Sequence, residues 1–368
     1  MIFNQTQDEI ENINLGLVGR GLRSSGTRGL GGVAAPDGTW WRVTRRGFIT
    51  LLGGAAAWPL AARAQQPANK PIIACLVGGS KAATERYFGG FSQGMRESGY
   101  TQGRDYGFEV RYAEGDYAHS PLLAEELIRL KPDILVSGTL SGVIEFKKLT
   151  NSIPIVSSSL FDPVGFGWAA SHARPGGNVT GVMAIVEDLP SKQLALAAEM
   201  VPGVNRIGLL VNPANALHAL LRPGLDVAAK KLGVELIAQE ARSPNDLHVA
   251  FQRFARDKMS IVFAFQDAMF LNERKRIALL AMFERLPTMS AFRESVEDGG
   301  VMSYGIDLRA NWRRVAGFVD RILKGTKAGD LPIEFATKLE LVINLTAAKI
   351  LGLTIPPALL ARADEVIE

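Results

Sequence analysis

Ser80, Gly138, Thr139, Phe161, Asp162, Asn212, Asp267, Phe292 and Tyr304 are the residues through which this chain could do chemistry. Each stands after, or at the end of, an apolar run of strand length. A small or hydroxyl residue that opens a helix there leaves backbone N–H groups free, and these suit a carboxylate. Asp162 and Asp267 could receive an ammonium, as could Glu294. Phe161, Phe270, Phe292 and Tyr304 could stack on a flat ligand. The same residue types also serve as N-caps and turn formers everywhere. What favours a site is that both halves of the chain carry the set at the same edge. The chemistry is recognition. No Gly-x-x-x-x-Gly-Lys-Ser/Thr loop, Gly-x-Ser-x-Gly elbow or His-Glu-x-x-His occurs. His119, His172, His218 and His248 fall in expected helices or their starts, away from the strand-end loops. Neither a cofactor nor a metal is implied. Asp162 with Glu294 is the candidate acid/base pair for an enzyme reading, such as a sugar transferase or racemase.

Two successive series of strands and helices must position these residues. Strands are expected at 71–77, 106–112, 133–137 and 153–157, with helices near 84–98, 119–131 and 140–150. The second series has strands at 206–211, 234–239, 260–264 and 287–290. Its helices lie near 190–200, 215–232, 244–258 and 270–285. Short apolar strands between helices mean parallel sheets covered on both faces, hence an α/β fold of two doubly wound lobes. In such sheets ligands bind beyond the carboxyl ends of the strands. The turn-rich Pro175–Gly181 stretch separates the series. The tail adds a strand at 301–305, a helix at 308–324, a strand near 339–344 and a helix at 345–351. It is too short for a third domain and must be shared between the two lobes. Of the five tryptophans, the two beyond residue 64, Trp168 and Trp312, fall on expected helices.

The chain before Pro71 has another character. Arg45-Arg46, an apolar run from Ile49 to Leu60, and Ala62-Arg63-Ala64 form the layout of a secretory signal. Gly53-Gly54 and Pro59 argue against a buried helix there. The run of about a dozen residues is too short to span a bilayer, which needs roughly 20. The TRRGFIT string looks like a twin-arginine signal over 44–64, read by the export route for folded proteins, with cleavage after Ala64. Residues 1–43 are expected to be a disordered extension or the product of a misplaced start. The expected location is the periplasm. Of 41 basic and 37 acidic residues, the first 64 positions hold seven and four. That leaves 34 and 33, a net charge of +1 with no basic run, which gives no case for nucleic acid. Cys75 is the single cysteine, so no intramolecular disulfide forms.

From about Arg45 to Glu368 the chain resembles the periplasmic substrate-binding proteins of ABC transporters, in the group called TrpX-like. The resemblance rests on RRGFITLLGGAAAWPLAARAQQ, the DPV at 162–164, RPGGNVTGV at 174–182, LVNPAN at 210–215, GGVMSYG at 299–305, RILKG at 321–325, ELVINLTAAKILGLTIPP at 340–357 and LLARADEVIE at 359–368. It implies a type I periplasmic-binding fold whose two lobes close on ligand. Lobe 1 would comprise 70–182 plus 305–326, and lobe 2 would comprise 183–304 plus 327–368. The three crossovers would lie near 181–185, 303–307 and 325–332. The implied partners are a small-molecule ligand and a membrane permease with a separate ATPase, and the protein would be a monomer. Assigned members bind aromatic amino acids. The family pocket maps onto Ser80, Gly138, Thr139, Asp162, Asn212, Asp267 and Tyr304. Two strings depart from the common forms: Ser137-Gly138-Thr139-Leu140, where Gly-Gly-Thr-Pro is frequent, and Ala264-Phe265-Gln266-Asp267, where Gly-Ala-Asp-Pro is frequent. The expected ligand is a carboxylate-bearing solute, an amino acid or an aromatic acid. A sensor that presents its closed lobes to a receptor kinase is the alternative on the same fold.

Overall fold

The computed structural model describes residues 70–183, 188–336 and 338–368. The 1–43 extension, the twin-arginine string and the expected cleavage site lie outside the described residues. Within Pro67–Glu368, which forms one compact unit, the strands are β1 (Ile72–Val77), β2 (Gly107–Tyr112), β3 (Ile134–Ser137), β4 (Ile155–Leu160), β5 (Val179–Met183), β6 (Arg206–Val211), β7 (Glu235–Glu240), β8 (Ile261–Ala264), β9 (Thr288–Ser290), β10 (Met302–Ile306), β11 (Glu334–Phe335), β12 (Leu339–Asn344) and β13 (Glu365–Ile367). They form two sheets, in the orders β11-β5-β4-β3-β1-β2 and β13-β12-β10-β9-β8-β6-β7. Among the described residues, β10 against β12 is the antiparallel pair, and the other pairings are parallel.

The central strands read as continuous apolar runs because helices cover both faces of a parallel sheet. Cys75, at the middle of β1, is wholly buried, and burial pushes its thiol pKa up. It is an inert core residue. β4 continues to Leu160, beyond the expected end at 157. Its polar run Ser157-Ser158-Ser159 hides a central strand. The run is tolerated because its groups are bonded inside: Ser157 Oγ accepts from Ser159 N at 3.0 Å, and Ser158 O accepts from Asn311 Nδ2 at 3.3 Å.

The chain crosses between sheets after Met183, after Ile306 and after Phe335. The last crossing comes later than the expected 325–332, so the segment to Phe335 belongs with the first sheet. Glu334 pairs with Val182 there, and Arg314 holds its carboxylate at 2.6 Å. A two-residue strand is too short to carry a periodic signal. The helix expected at 270–285 is two helices, Ala268–Asn272 and Arg274–Phe283. Trp168 and His172 are not helical. Trp168 closes a turn by donating its N–H to Pro163 O at 2.9 Å, and His172 O accepts from Ile333 N at 2.8 Å.

The helix Leu308–Leu323 leaves the second sheet and packs on the helix Lys81–Glu97 of the first. Its apolar stripe, Leu308, Trp312, Val315, Ala316 and Val319, has helical spacing. Gly90 and Gly94 let the two backbones approach. A Cβ at Gly90 would lie 2.2 Å from Arg309 O, and one at Gly94 would lie 2.7 Å from Arg313 O. This contact sets Trp312 at the junction of the lobes. Among the described residues, no helix is long and apolar enough to cross a membrane.

Candidate functional site

The carboxyl edges of the two sheets face each other across a cavity of about 80 Å³. The first sheet contributes Val77-Gly78-Gly79, Gly138-Thr139-Leu140 and Ser159-Leu160-Phe161. The second contributes Asn215, Gln266-Asp267-Ala268 and Phe292. Trp312 comes from the connecting helix, and Tyr87, Tyr117, Thr84, Leu217, Leu271 and Leu308 also line the wall.

Local sequence explains each placement. Ser80 N-caps the helix Lys81–Glu97 by accepting from Ala83 N at 3.2 Å. Thr139 caps the helix Leu140–Leu149 by accepting from Gly142 N at 3.2 Å. Both helix starts therefore lie at the cavity edge. Gly138 sits under Trp312, where an added Cβ would be 3.1 Å from the indole Cζ2.

Asp267 is the carboxylate that the described residues place on the wall. It caps the helix Ala268–Asn272 by accepting at Oδ1 from Met269 N (2.9 Å) and Phe270 N (3.1 Å). Asn212 Nδ2 donates to the same oxygen at 3.4 Å. Oδ2 accepts from Asn215 Nδ2 at 2.9 Å and from the Tyr117 hydroxyl at 3.0 Å. Burial, reinforced by the charge of Asp267, pushes the Tyr117 phenol well above its ordinary value, so it remains a donor. Tyr117 also accepts from Asn215 Nδ2 and from Ala268 N, both at 3.2 Å. Ser80 N donates to Asn272 Oδ1 at 2.9 Å, a second bond across the cleft. An ion pair between Arg86 and Glu297 also joins the two lobes.

His218 supports this loop from behind, which corrects the expectation that the histidines lie away from the strand ends. Its Nδ1 accepts from Asn212 N at 2.9 Å, so its proton sits on Nε2 and is donated to Gln266 O at 3.1 Å. Burial pulls the imidazole pKa down, against the charge of Asp267. The helix beginning at Ala216 points its first turn back at the strand ends, which places His218 between two loops.

The structure brings Gly138, Thr139, Phe161, Asp267 and Phe292 together on the wall. It does not bring Ser80, Asp162, Asn212 or Tyr304 there. Ser80 and Asn212 stand one layer back, occupied by capping and by the Asp267 bond. Asp162 is exposed at φ +37, and its Oδ1 turns outward to accept from Gly165 N at 2.9 Å. β10 runs on to Ile306, so Tyr304 is mid-strand. Its side chain lies on the sheet face, in a separate hollow with Lys192 and Leu339. Glu294 is buried behind the wall, where burial pushes its carboxyl pKa up. The Asp162–Glu294 pair therefore does not converge on the cavity.

Sequence reasoning missed Tyr117, Trp312 and Tyr87. Tyr117 follows β2, and Asp116 capping the short turn Tyr117–His119 is the available signal. Trp312 was legible from its helical stripe. Tyr87 lies on a helix, and its buried hydroxyl has no hydrogen-bond partner among the described residues.

Two parallel-dominated sheets joined by three crossovers, with a cavity between their carboxyl edges, define a type I periplasmic-binding fold. The family model for ABC transporter substrate binding protein matches residues 73–367, and the chain belongs to that family. A tyrosine-binding protein of Clostridioides difficile is 22% identical over 264 residues, covering 72% of this chain and 76% of the relative. The crystal structure of a conserved domain protein from Vibrio cholerae O1 biovar El Tor is 30% identical with a TM-score of 0.75, and covers 81% of this chain and 100% of that one. An ABC domain from Streptococcus pneumonia in complex with L-Trp is 23% identical with a TM-score of 0.74, again over 81% and 100%.

Proposed function

We propose that this chain is the periplasmic solute-binding component of an ABC import system, closing on a small carboxylate-bearing solute. The observation that carries this reading is the make-up of the cavity. Phe161 of one lobe and Phe292 of the other flank it, with Trp312 between the lobes and the capped helix starts at Ser80 and Thr139 along one edge. First-turn N–H groups and the helix dipole favour a carboxylate, and the rings favour a flat apolar body. Thr139, Gly138, Phe161 and Phe292 are the contacts we assign from the sequence, with Tyr117 and Trp312 added. Ser80 and Asn212 act through the residues they hold. Tyrosine- and L-Trp-binding relatives support a solute of this size.

It delivers the solute to a membrane permease with a separate ATPase, a reading that the family supports. The protein acts as a monomer and not as an enzyme. Export by the twin-arginine route, with cleavage after Ala64, explains how a folded binding protein reaches the periplasm.

A thermal-shift panel of aromatic amino acids, branched amino acids, aromatic acids and neutral sugars tests the reading, because a ligand that binds the folded state raises Tm. The expected hits are among the carboxylates. A hit confined to neutral sugars would overturn the pocket assignment. A carboxylate hit unchanged by Thr139→Ala would place the carboxylate elsewhere.

A further inference from the structure

We propose that Gln266 determines which solutes the site takes: its side-chain carbonyl accepts from an ammonium group on the solute, and the Asp267 charge beside it attracts that group through space. The inference rests on the carboxylate reading above and assigns the second half of the same polar head. Gln266 follows β8 on the second sheet, is half-buried and lines the cavity. Its backbone is fixed, because Gln266 O accepts from Asn215 Nδ2 at 3.2 Å and from His218 Nε2 at 3.1 Å. Its carboxamide makes no hydrogen bond among the described residues and is left for a solute.

Charge decides which end of that amide meets the solute. Asp267, the next residue, is 2% exposed, and its donors are all neutral: the Met269 and Phe270 N–H groups, the Asn212 and Asn215 amides and the Tyr117 hydroxyl. No Lys or Arg pairs with it among the described residues. A buried carboxylate without a counter-charge favours a cation nearby, and the attraction is stronger in a wall of low dielectric than in water. An amide presents its carbonyl to a cation and its NH2 to an anion, so beside Asp267 the carbonyl faces the solute. Two other polar side chains on the wall have different surroundings. The Ser159 hydroxyl shares the first sheet's edge with the helix start at Thr139, whose dipole favours the carboxylate. The Tyr87 hydroxyl stands among the charges of Glu294, Arg274 and Arg86, two of them cations. Gln266 is therefore the open acceptor in negative surroundings, and the oxygens of Asp267 itself already take two or more donors each.

Matched pairs test this by calorimetric titration of the purified protein: L-phenylalanine against 3-phenylpropionate, and L-tryptophan against indole-3-propionate. The amino acid of at least one pair is expected to bind about tenfold or more tighter than its acid, the scale of one hydrogen bond to a charged group. Gln266→Met removes the carbonyl at similar length and is expected to lower that amino-acid-to-acid ratio about tenfold. The Tm of the solute-free variant is expected to stay that of the wild type, because the carboxamide holds nothing within the protein. Gln266→Glu keeps an acceptor and adds a charge, and is expected to keep or raise the ratio. Acids that bind as tightly as their amino acids in both pairs overturn the inference and leave the carboxylate reading standing. So does a ratio that survives Gln266→Met. A lower Tm in Gln266→Met with an equal loss of both members of a pair would make Gln266 a structural residue and overturn the inference as well. If none of the four compounds binds, the carboxylate reading falls and takes the inference with it.

Discussion

The Tyr117 hydroxyl donates to Asp267 Oδ2 at 3.0 Å, joining residues 150 positions apart in sequence and carried by different sheets. The bond spans the cleft. Its donor stays protonated because burial and the neighbouring charge disfavour the phenolate. Tyr117 therefore ties one lobe to the other and does not belong to the core of either.

Tyr117→Phe removes this bond and leaves Asp267 its other donors. A hydrogen bond to a charged group contributes about 1.5–3 kcal/mol. Solute affinity is expected to fall about tenfold or more, since each 1.4 kcal/mol is about tenfold, while the denaturant midpoint of the solute-free protein changes little. Calorimetric titration beside urea unfolding checks both. Equal affinity in the variant would show that the bond plays no part in closure.

The helix Lys81–Glu97 offers a paired test at adjacent positions. A Cβ at Gly89 meets nothing within 4 Å, whereas one at Gly90 would press on Arg309 O at 2.2 Å. Gly89→Ala is expected to stabilise by about 0.5–1 kcal/mol through helix propensity. Gly90→Ala is expected to destabilise by roughly 1–3 kcal/mol through overpacking. Urea denaturation of the two variants reads the difference in sign. A stabilised Gly90→Ala would contradict the close helix approach.

His218 makes stability depend on pH. Its folded pKa is lowered, so at pH values below the ordinary 6.5 the unfolded chain takes up more protons than the folded one. The contribution is complete above about pH 6.5 and declines as the pH falls through and below that value. Protonation also removes the Nδ1 acceptor used by Asn212 N. His218→Gln retains an acceptor and a donor without the titration. Its Tm is expected to fall less than that of the wild type between pH 7 and 5.5, as followed by scanning calorimetry. Parallel curves would exclude His218 as the source.

Arg45→Lys with Arg46→Lys tests the export route. Lysine keeps the charge but not the twin-arginine string, so periplasmic accumulation is expected to collapse in cell fractions. Undiminished accumulation would show that export uses another signal.

The α/β class, the order of strands and helices, and the sheet edge that lines the cavity were legible in the sequence. Buried parallel strands must be apolar runs, and helices between them must carry stripes, so the pattern is local and readable. Ser80, Thr139 and Asp267 were legible as strand-end polar residues, because N-capping is also a local matter. β11 and the lengthened β4 were not legible, one being too short for periodicity and the other polar in a buried setting. Which of the strand-end residues face the cavity depends on long-range packing. Asp162 and Tyr304 satisfy the same sequence pattern as Phe161 and Phe292, yet a positive φ turns one outward and a strand that runs on to Ile306 sets the other on a sheet face. The tertiary structure also decided that Asp267 is occupied. Its donors come from two distant places in the chain, Tyr117 after β2 and Asn212 with Asn215 in the loop after β6, and no spacing along the sequence records that they converge on one carboxylate.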